Sequence, residues 1–256
     1  MIPINVMIRM NGDLRIKDRI VLEKLESDLL QYIVESKKQP GERLSSLDEL
    51  SAELKISTGK LREQLEVARS LGLVEVKPRT GIKLSPYDFF PAVRLSLLYA
   101  LATDSSHFEE FSSLRDHLEF GYFEEAVSKL TADDHQHLRD LVQAAWSKLD
   151  GSPIHIPHKE HRELHMTIYR RLENPFVQGV LEAYWEAYEA VGFSVLSEYN
   201  YLRKVWTYHE GIVDAIIEGN VVEAKKMLIE HTALRPHTEK KHVHANHTNG
   251  NGVRRK

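Results

Sequence analysis

Residues 46–84, SLDELSAELKISTGKLREQLEVARSLGLVEVKPRTGIKL, decide the fold of the front of this chain. Ser46-Leu47-Asp48-Glu49 is a capping box: the Ser46 hydroxyl is placed to accept the Glu49 backbone N–H. Leu47, Leu50 and Leu54 then supply the inner stripe of a short helix. Only Lys55-Ile56-Ser57 separates it from a second helix, Thr58 to Leu71, whose inner face is Leu61, Leu65 and Ala68 and which Gly72 closes. Leu73 to Lys77 and Ile82 to Leu84 alternate as strands around Pro78-Arg79-Thr80-Gly81, which predicts a small hairpin. Helix, three-residue turn, helix and hairpin is the order of a winged helix-turn-helix.

In that arrangement the second helix enters the major groove by its N-terminal residues, here Ser57, Thr58, Gly59, Lys60 and Arg62. Arg62 suits a bidentate contact to guanine, typically ~1–3 kcal/mol of discrimination, and Lys60 suits phosphate. Gly59 costs ~1 kcal/mol of helix propensity, which a close backbone approach would explain. Lys77, Arg79, Thr80 and Gly81 at the hairpin tip and Ser46 at the preceding helix complete the candidate DNA-binding set. The same charges would suit a small protein–protein module; the order of elements favours DNA.

Upstream, Ile16, Ile20, Leu25, Leu29, Leu30 and Ile33 recur at helical spacing until Pro40-Gly41, which predicts one amphipathic helix. The expected organisation is a flexible arm over 1–14, a DNA-binding domain over 15–86, a helical effector domain over 87–236 and a disordered tail over 237–256. The length of 256 residues suits two such domains. The formal net charge of -4 argues against nucleic acid as an average, but it is unevenly spread: +2 over 15–86, -10 over 87–236 and +4 over 237–256. The chain has no cysteine, which excludes disulfides, thiolate catalysis, iron–sulfur clusters and zinc fingers. With no apolar run of ~18 residues and no signal-peptide pattern, a cytosolic protein without a membrane partner is expected.

From Tyr87 the strand signals vanish. Breaks at Asp104-Ser105-Ser106, Thr131-Ala132-Asp133, Asp150-Gly151-Ser152-Pro153, Asn174-Pro175, Gly192 and Gly219-Asn220 mark out six or seven helices. The expected fold class is mainly α, a winged helix-turn-helix with a small hairpin wing followed by an all-helical bundle.

Four of the fourteen histidines form a pattern. His161 and His165, four residues apart, project from one helical face about 6 Å apart. His209 and His231 lie ten and eleven residues from the Gly219-Asn220 break, about 15–17 Å along each arm of an antiparallel pair, so they return to one level. Three helices can thus aim four imidazoles at one point, and without cysteine these are the expected ligands of zinc, nickel or copper. Taken singly, each is more often a surface or hydrogen-bonded histidine than a ligand. Tyr169, Tyr184, Trp185, Tyr188 and Trp206 read mainly as core.

The front stretch resembles the GntR family of bacterial transcription regulators. The matching residues are Pro40 to Leu44, Ser46 with Glu49-Leu50, Ile56-Ser57, Leu61-Arg62-Glu63, Leu65, Leu71 to Val74, and Gly81. Asp48 and Thr58 stand where the family usually has arginines, and Lys60 where it has proline, so Arg62 alone remains of the usual base readers. The rear half is similar to the FCD effector domain of the FadR-like subfamily, through His161-x-x-Leu164-His165, Asn174-Pro175, His209-x-x-Ile212-x-x-Ala215-Ile216, Gly219-Asn220, Ala224 and His231. The resemblance implies a bound divalent metal, zinc or nickel, held by His165, His209 and His231, with His161 at a position the family fills with Asp. It implies a small carboxylate effector held by Arg115, for which a surface ion pair with Glu119 is the competing reading, and by Asn174, which otherwise caps a helix.

The implied function is a ligand-responsive homodimeric repressor on a near-palindromic double-stranded operator. A metal-sensing regulator is the alternative. A metal-dependent enzyme is disfavoured, because none of the four clustered histidines belongs to a Glu-x-x-His or His-Glu-x-x-His motif.

Overall fold

The computed structural model describes residues 16–191 and 198–234. It divides into two compact units, Met1–Ser96 with Glu173–Ala183, and Leu97–Leu172 with Tyr184–Lys256. The arm expected over 1–14 and the tail expected over 237–256 lie outside the described residues, as does the break at Gly192.

The first unit begins with α1 (Ile16–Glu23) and α2 (Asp28–Glu35), where the sequence pattern predicts one helix. The break has a local cause. Glu26 turns through φ +51, and Ser27 then caps α2, its hydroxyl accepting the Leu30 N–H at 3.3 Å. Next come α3 (Leu47–Leu54), α4 (Thr58–Ser70), β1 (Val74–Lys77) and β2 (Gly81–Leu84). The predicted capping box at α3 is present, with the Ser46 backbone N–H donating to Glu49 Oε2 at 2.7 Å.

The strands pair antiparallel with Val74 opposite Leu84 and Val76 opposite Ile82. The 41–44 segment lies along β2, through Leu44 N–H to Ile82 O at 2.9 Å and Leu84 N–H to Glu42 O at 3.0 Å. Leu29, Leu44, Leu50, Leu61, Leu65, Ala68, Val74, Ile82 and Leu84 form the core, and each large aliphatic among them contributes ~1.5–3 kcal/mol by leaving water. Gln64 ties α4 to the start of α2, accepting the Leu29 N–H at 2.9 Å and donating to Asp28 Oδ2 at 2.8 Å.

The remaining helices are α5 (Phe90–Thr103), α6 (His107–Ser128), α7 (Ala132–Leu149), α8 (His158–Tyr169), α9 (Pro175–Ala190), α10 (Tyr199–Ile217) and α11 (Val221–Thr232). The fold class read from the sequence is the observed one: mainly helical, with a single two-stranded sheet among the described residues.

In the second unit, Phe123, Leu138, Leu149, Leu164, Ile168 and Trp206 are almost fully buried. A second capping box, Thr131 with Asp134, opens α7. Asp134 is wholly buried and also takes the guanidinium groups of Arg170 and Arg171, which fastens the start of α7 to the end of α8. Asn220 caps α11 by accepting the Glu223 N–H at 3.3 Å, so α10 and α11 turn back on each other across Gly219.

Candidate metal centre and nucleic-acid interface

The bundle brings the four singled-out histidines together. His161 and His165 come from α8, His209 from α10 and His231 from α11, and one ligand nitrogen from each lies within 4.8 Å of all the others. The Nε2 atoms of His165 and His209 are 3.2 Å apart. Two nitrogens bound at ~2.0–2.1 Å in tetrahedral array would stand about 3.3–3.4 Å apart, so this separation suits two ligands of one ion, as it suits an N–H···N hydrogen bond between neutral rings. His165, His209 and His231 are buried, while His161 closes the cluster at its more open side.

Burial sets the charge of the cluster. His161 and His231 are held well below the ordinary imidazole range, first by desolvation and then by the neighbouring imidazoles. His209 is pushed down to about 3 by burial and by the Arg115 guanidinium. Neutral imidazoles each carry one lone pair and one N–H. His161 Nε2 and His231 Nδ1 are buried with no hydrogen-bond partner, a costly arrangement that a cation bound among the nitrogens would relieve; His209 Nδ1, on the side of its ring away from His165, is also unpartnered. The donor set therefore fits a divalent ion of the zinc–nickel kind.

Arg115 lies on α6, only 2% exposed, and sits inside this site rather than on the surface. Burial alone would lower its proton affinity, but Glu119 outweighs that and keeps the guanidinium charged. Its Nη2 donates to Glu119 Oε1 at 2.9 Å and lies 2.8 Å from His165 Nδ1, and its Cζ stands 4.7 Å above the Tyr184 ring. The anticipated i, i+4 pair with Glu119 is thus present but buried.

Sequence reasoning missed the part Glu119 plays. This carboxylate is fully buried, and its Oε1 is 3.2 Å from His165 Nδ1. Tyr169 donates its hydroxyl to the Glu119 main-chain oxygen at 3.1 Å and so steadies that turn. The signal was available as Arg115 and Glu119 sharing one helical face, and only the burial was not.

Trp185 and Trp206 pack on the cluster, with ring centroids 4.7 Å from His161 and 4.8 Å from His209 respectively. Cavities of about 10 and 20 Å³ flank His161, both bounded by Tyr188 and Tyr201. Each has room for about one water. Asn174 caps α9, its Oδ1 accepting the N–H groups of Phe176 at 3.1 Å and Val177 at 3.3 Å.

On the first unit, the anticipated DNA-binding residues line the start of α4 and the tip of the hairpin. Ser57 caps α4 by accepting the Lys60 N–H at 3.2 Å, and Gly59 and Arg62 are exposed beside the half-buried Thr58. Lys60 Nζ pairs with Asp28 at 2.8 Å, which holds that carboxyl below its usual range. Lys77 pairs with Glu75, and the Ser46 hydroxyl donates to Glu49 at 2.8 Å. Arg62 and Arg79 make no ion pair among the described residues. Arg79 turns the hairpin at φ +71 and Gly81 at φ +72, where a Cβ on Gly81 would come within 2.9 Å of the Arg43 guanidinium.

Among the described residues no helix is long and apolar enough to cross a membrane. Residues 110–234 match the FCD domain family. The HTH-type transcriptional regulator LutR of Bacillus subtilis (strain 168) is 23% identical over 206 residues, covering 75% of this chain and 89% of LutR. The uncharacterized HTH-type transcriptional regulator YcbG of the same organism is 25% identical over 191 residues, covering 75% of this chain and 78% of YcbG. Among solved structures, Streptococcus agalactiae GntR superposes with a TM-score of 0.60 at 21% identity, over 83% of this chain and 97% of that one, a likeness of fold.

Proposed function

Because the chain belongs to the GntR family of transcription regulators, in the FadR-like subfamily that carries an FCD domain, we propose that it is a repressor governed by a metal-dependent effector site. It is a DNA-binding regulator and not an enzyme. The observation that carries the reading is the convergence of four imidazole nitrogens within 4.8 Å, three of the rings bearing a buried nitrogen without a partner.

In this reading His161, His165, His209 and His231 hold zinc or nickel. The bound cation supplies a Lewis-acidic point for an anionic oxygen. Arg115, charged and close to the same centre, adds a donor fork suited to a carboxylate. Glu119 holds Arg115 and His165 in place. Because only about 10–20 Å³ is open beside the histidines, a carboxylate effector enters by displacing Tyr188 and Tyr201, and this movement is the conformational signal.

On the operator, Arg62 reads a guanine, Thr58 and the backbone at Gly59 approach the groove floor, and Lys60, Lys77, Arg79, Thr80, Gly81 and Ser46 meet the sugar–phosphate backbone. Lys60 and Lys77 exchange their intramolecular carboxylates for phosphate on binding. Two copies on a two-fold site make the reading unit, and exposed Leu95 and Tyr99, four apart on α5, supply apolar surface for pairing.

The test is to purify the untagged protein without added metal, measure metal content, and assay operator release by candidate carboxylates in wild type and His165→Ala. Metal at one ion per chain, with release abolished in the variant, is expected. Release by a carboxylate from metal-free protein would remove the model. A second reading, in which the ion itself is the signal, is favoured by the small size of the flanking cavities; there, metal alone would change operator affinity with no organic acid present.

A further inference from the structure

One opening in the second unit lies away from the histidines. A cleft of about 300 Å³ lies between α7 and α10, at the lower end of the ~300–1,000 Å³ typical of small-molecule sites. Its floor is Val142 and Val213, both buried. One wall is α7, presenting Arg139, Gln143 and Trp146 at positions i, i+4 and i+7, and the other is α10, presenting Glu210 and Asp214 at i and i+4. Each series lies along one face of its helix.

The chemistry of the two walls is opposite. The α7 wall offers a guanidinium, an amide and the Trp146 ring, while the α10 wall offers two carboxylates. Although opposite charges line one cleft, the side chains of Arg139, Glu210 and Asp214 make no ion pair with each other or with any described residue. The nearby cation Arg203, 5.0 Å from the Trp146 ring, is already engaged by Asp150. The Trp146 ring lines the cleft, while its indole nitrogen is buried away from solvent.

We propose that this cleft is a second ligand site, for a small amino-carboxylate whose carboxylate meets Arg139 and Gln143 beside the Trp146 ring while its ammonium meets Glu210 and Asp214. A purely anionic ligand would face the two carboxylates, and a purely cationic one would face Arg139. A molecule carrying both charges at opposite ends satisfies both walls. The site is separate from the metal centre and does not require a metal to be bound.

The test uses full-length untagged protein and 6-aminohexanoate as probe, with hexanoate and hexylamine carrying one charge each. The indole N–H signals of Trp146, Trp185 and Trp206 are followed by nitrogen–proton correlation spectroscopy, with Trp146→Phe giving the assignment. The Trp146 signal is expected to shift saturably with 6-aminohexanoate, in metal-free and zinc-loaded protein alike. Both single-charge analogues, and the variants Arg139→Gln and Asp214→Asn, should bind at least about tenfold more weakly, the loss of one charge-assisted contact. These substitutions sit at exposed positions, and an unchanged melting temperature confirms that they fold. An unmoved Trp146 signal at millimolar probe, equal binding of hexanoate, or undiminished binding by folded Arg139→Gln would overturn the proposal. So would a shift of that signal with protein concentration alone, which would assign the cleft to a second copy of the chain.

Discussion

His165 and His209, from helices α8 and α10, face each other through their Nε2 atoms at 3.2 Å, with His165 Nδ1 turned to Glu119 on a third helix. Two neutral rings at this distance can share one N–H···N hydrogen bond, which still leaves His161 Nε2 and His231 Nδ1 in the same cluster without a partner. The consequence is that the apo protein is held in a less favourable arrangement than the loaded one, and ligand-linked stabilisation should be measurable.

With zinc at 100 to 1,000 times its dissociation constant, the melting midpoint of the wild type should rise by an amount equivalent to about 3–4 kcal/mol. His209→Ala should abolish that rise. Scanning calorimetry with and without chelator reads both, and an equal rise in the variant would place the metal elsewhere.

Metal-free protein should lose stability in mild acid. The folded state holds His161, His209 and His231 neutral, with His209 down at about 3, whereas the unfolded chain takes up protons near 6.5. The unfolded state thus binds more protons, so stability is fully present above pH 6.5 and declines as pH falls from there toward 3. Urea unfolding of apo protein across that range measures the slope, and replacing His209 with Gln should flatten it.

Glu119→Gln should weaken metal binding by about 10- to 100-fold, the usual effect of losing a carboxylate that orients a ligating histidine. The physical reason is position: Glu119 Oε1 lies 3.2 Å from His165 Nδ1 and 2.9 Å from Arg115 Nη2, so its loss frees both groups that set the His165 ring beside His209. Competition against a chromogenic chelator gives the affinity. Glu119→Asp, which keeps the charge, should recover part of it.

Arg62→Ala and Arg79→Ala should fail in different ways on the operator. Loss of Arg62 should cost about 1–3 kcal/mol and relax preference at one base pair. Loss of Arg79 should weaken all sequences alike and lower the slope of log affinity against log salt by about one. Anisotropy titrations at several salt concentrations, with matched and altered duplexes, separate the two.

Asp134→Ala should destabilise the second unit by about 2 kcal/mol or more, since it removes the acceptor for the Thr131 N–H in the capping box of α7 together with the acceptor for Arg170 and Arg171. Urea denaturation measures it. Asp134→Asn, which keeps a capping oxygen, should lose less.

Much of this architecture is written in local chemistry. The capping box at Ser46, the three-residue turn before Thr58 and the hairpin around Pro78 to Gly81 are decided within a few residues, and the structure follows them. The histidine cluster was legible because α-helical rise turns counting from Gly219-Asn220 into distance. The break at Glu26 and Ser27 was hidden, because apolar spacing continued through it while the Ser27 cap prevailed locally. Pairing across long separations was hidden too. Nothing near Lys60 announces Asp28, and nothing near Asp134 announces Arg170 and Arg171. Glu119 was visible as a partner of Arg115, but spacing alone does not say whether a pair faces water or a protein interior.

Helix α10 carries His209 into the histidine cluster and, at the very next residue, Glu210 into the cleft with α7. Consecutive residues are about 100° apart around a helix, so the two sites are served by adjoining faces of one rigid rod. A small roll of that rod cannot improve one site without disturbing the other. If the amino-carboxylate binds α10 in a different rotational setting from the one the metal favours, its presence must change metal affinity by the same factor by which metal changes its own. The chain would then compare two chemical conditions, one mineral and one metabolic, on a single helix.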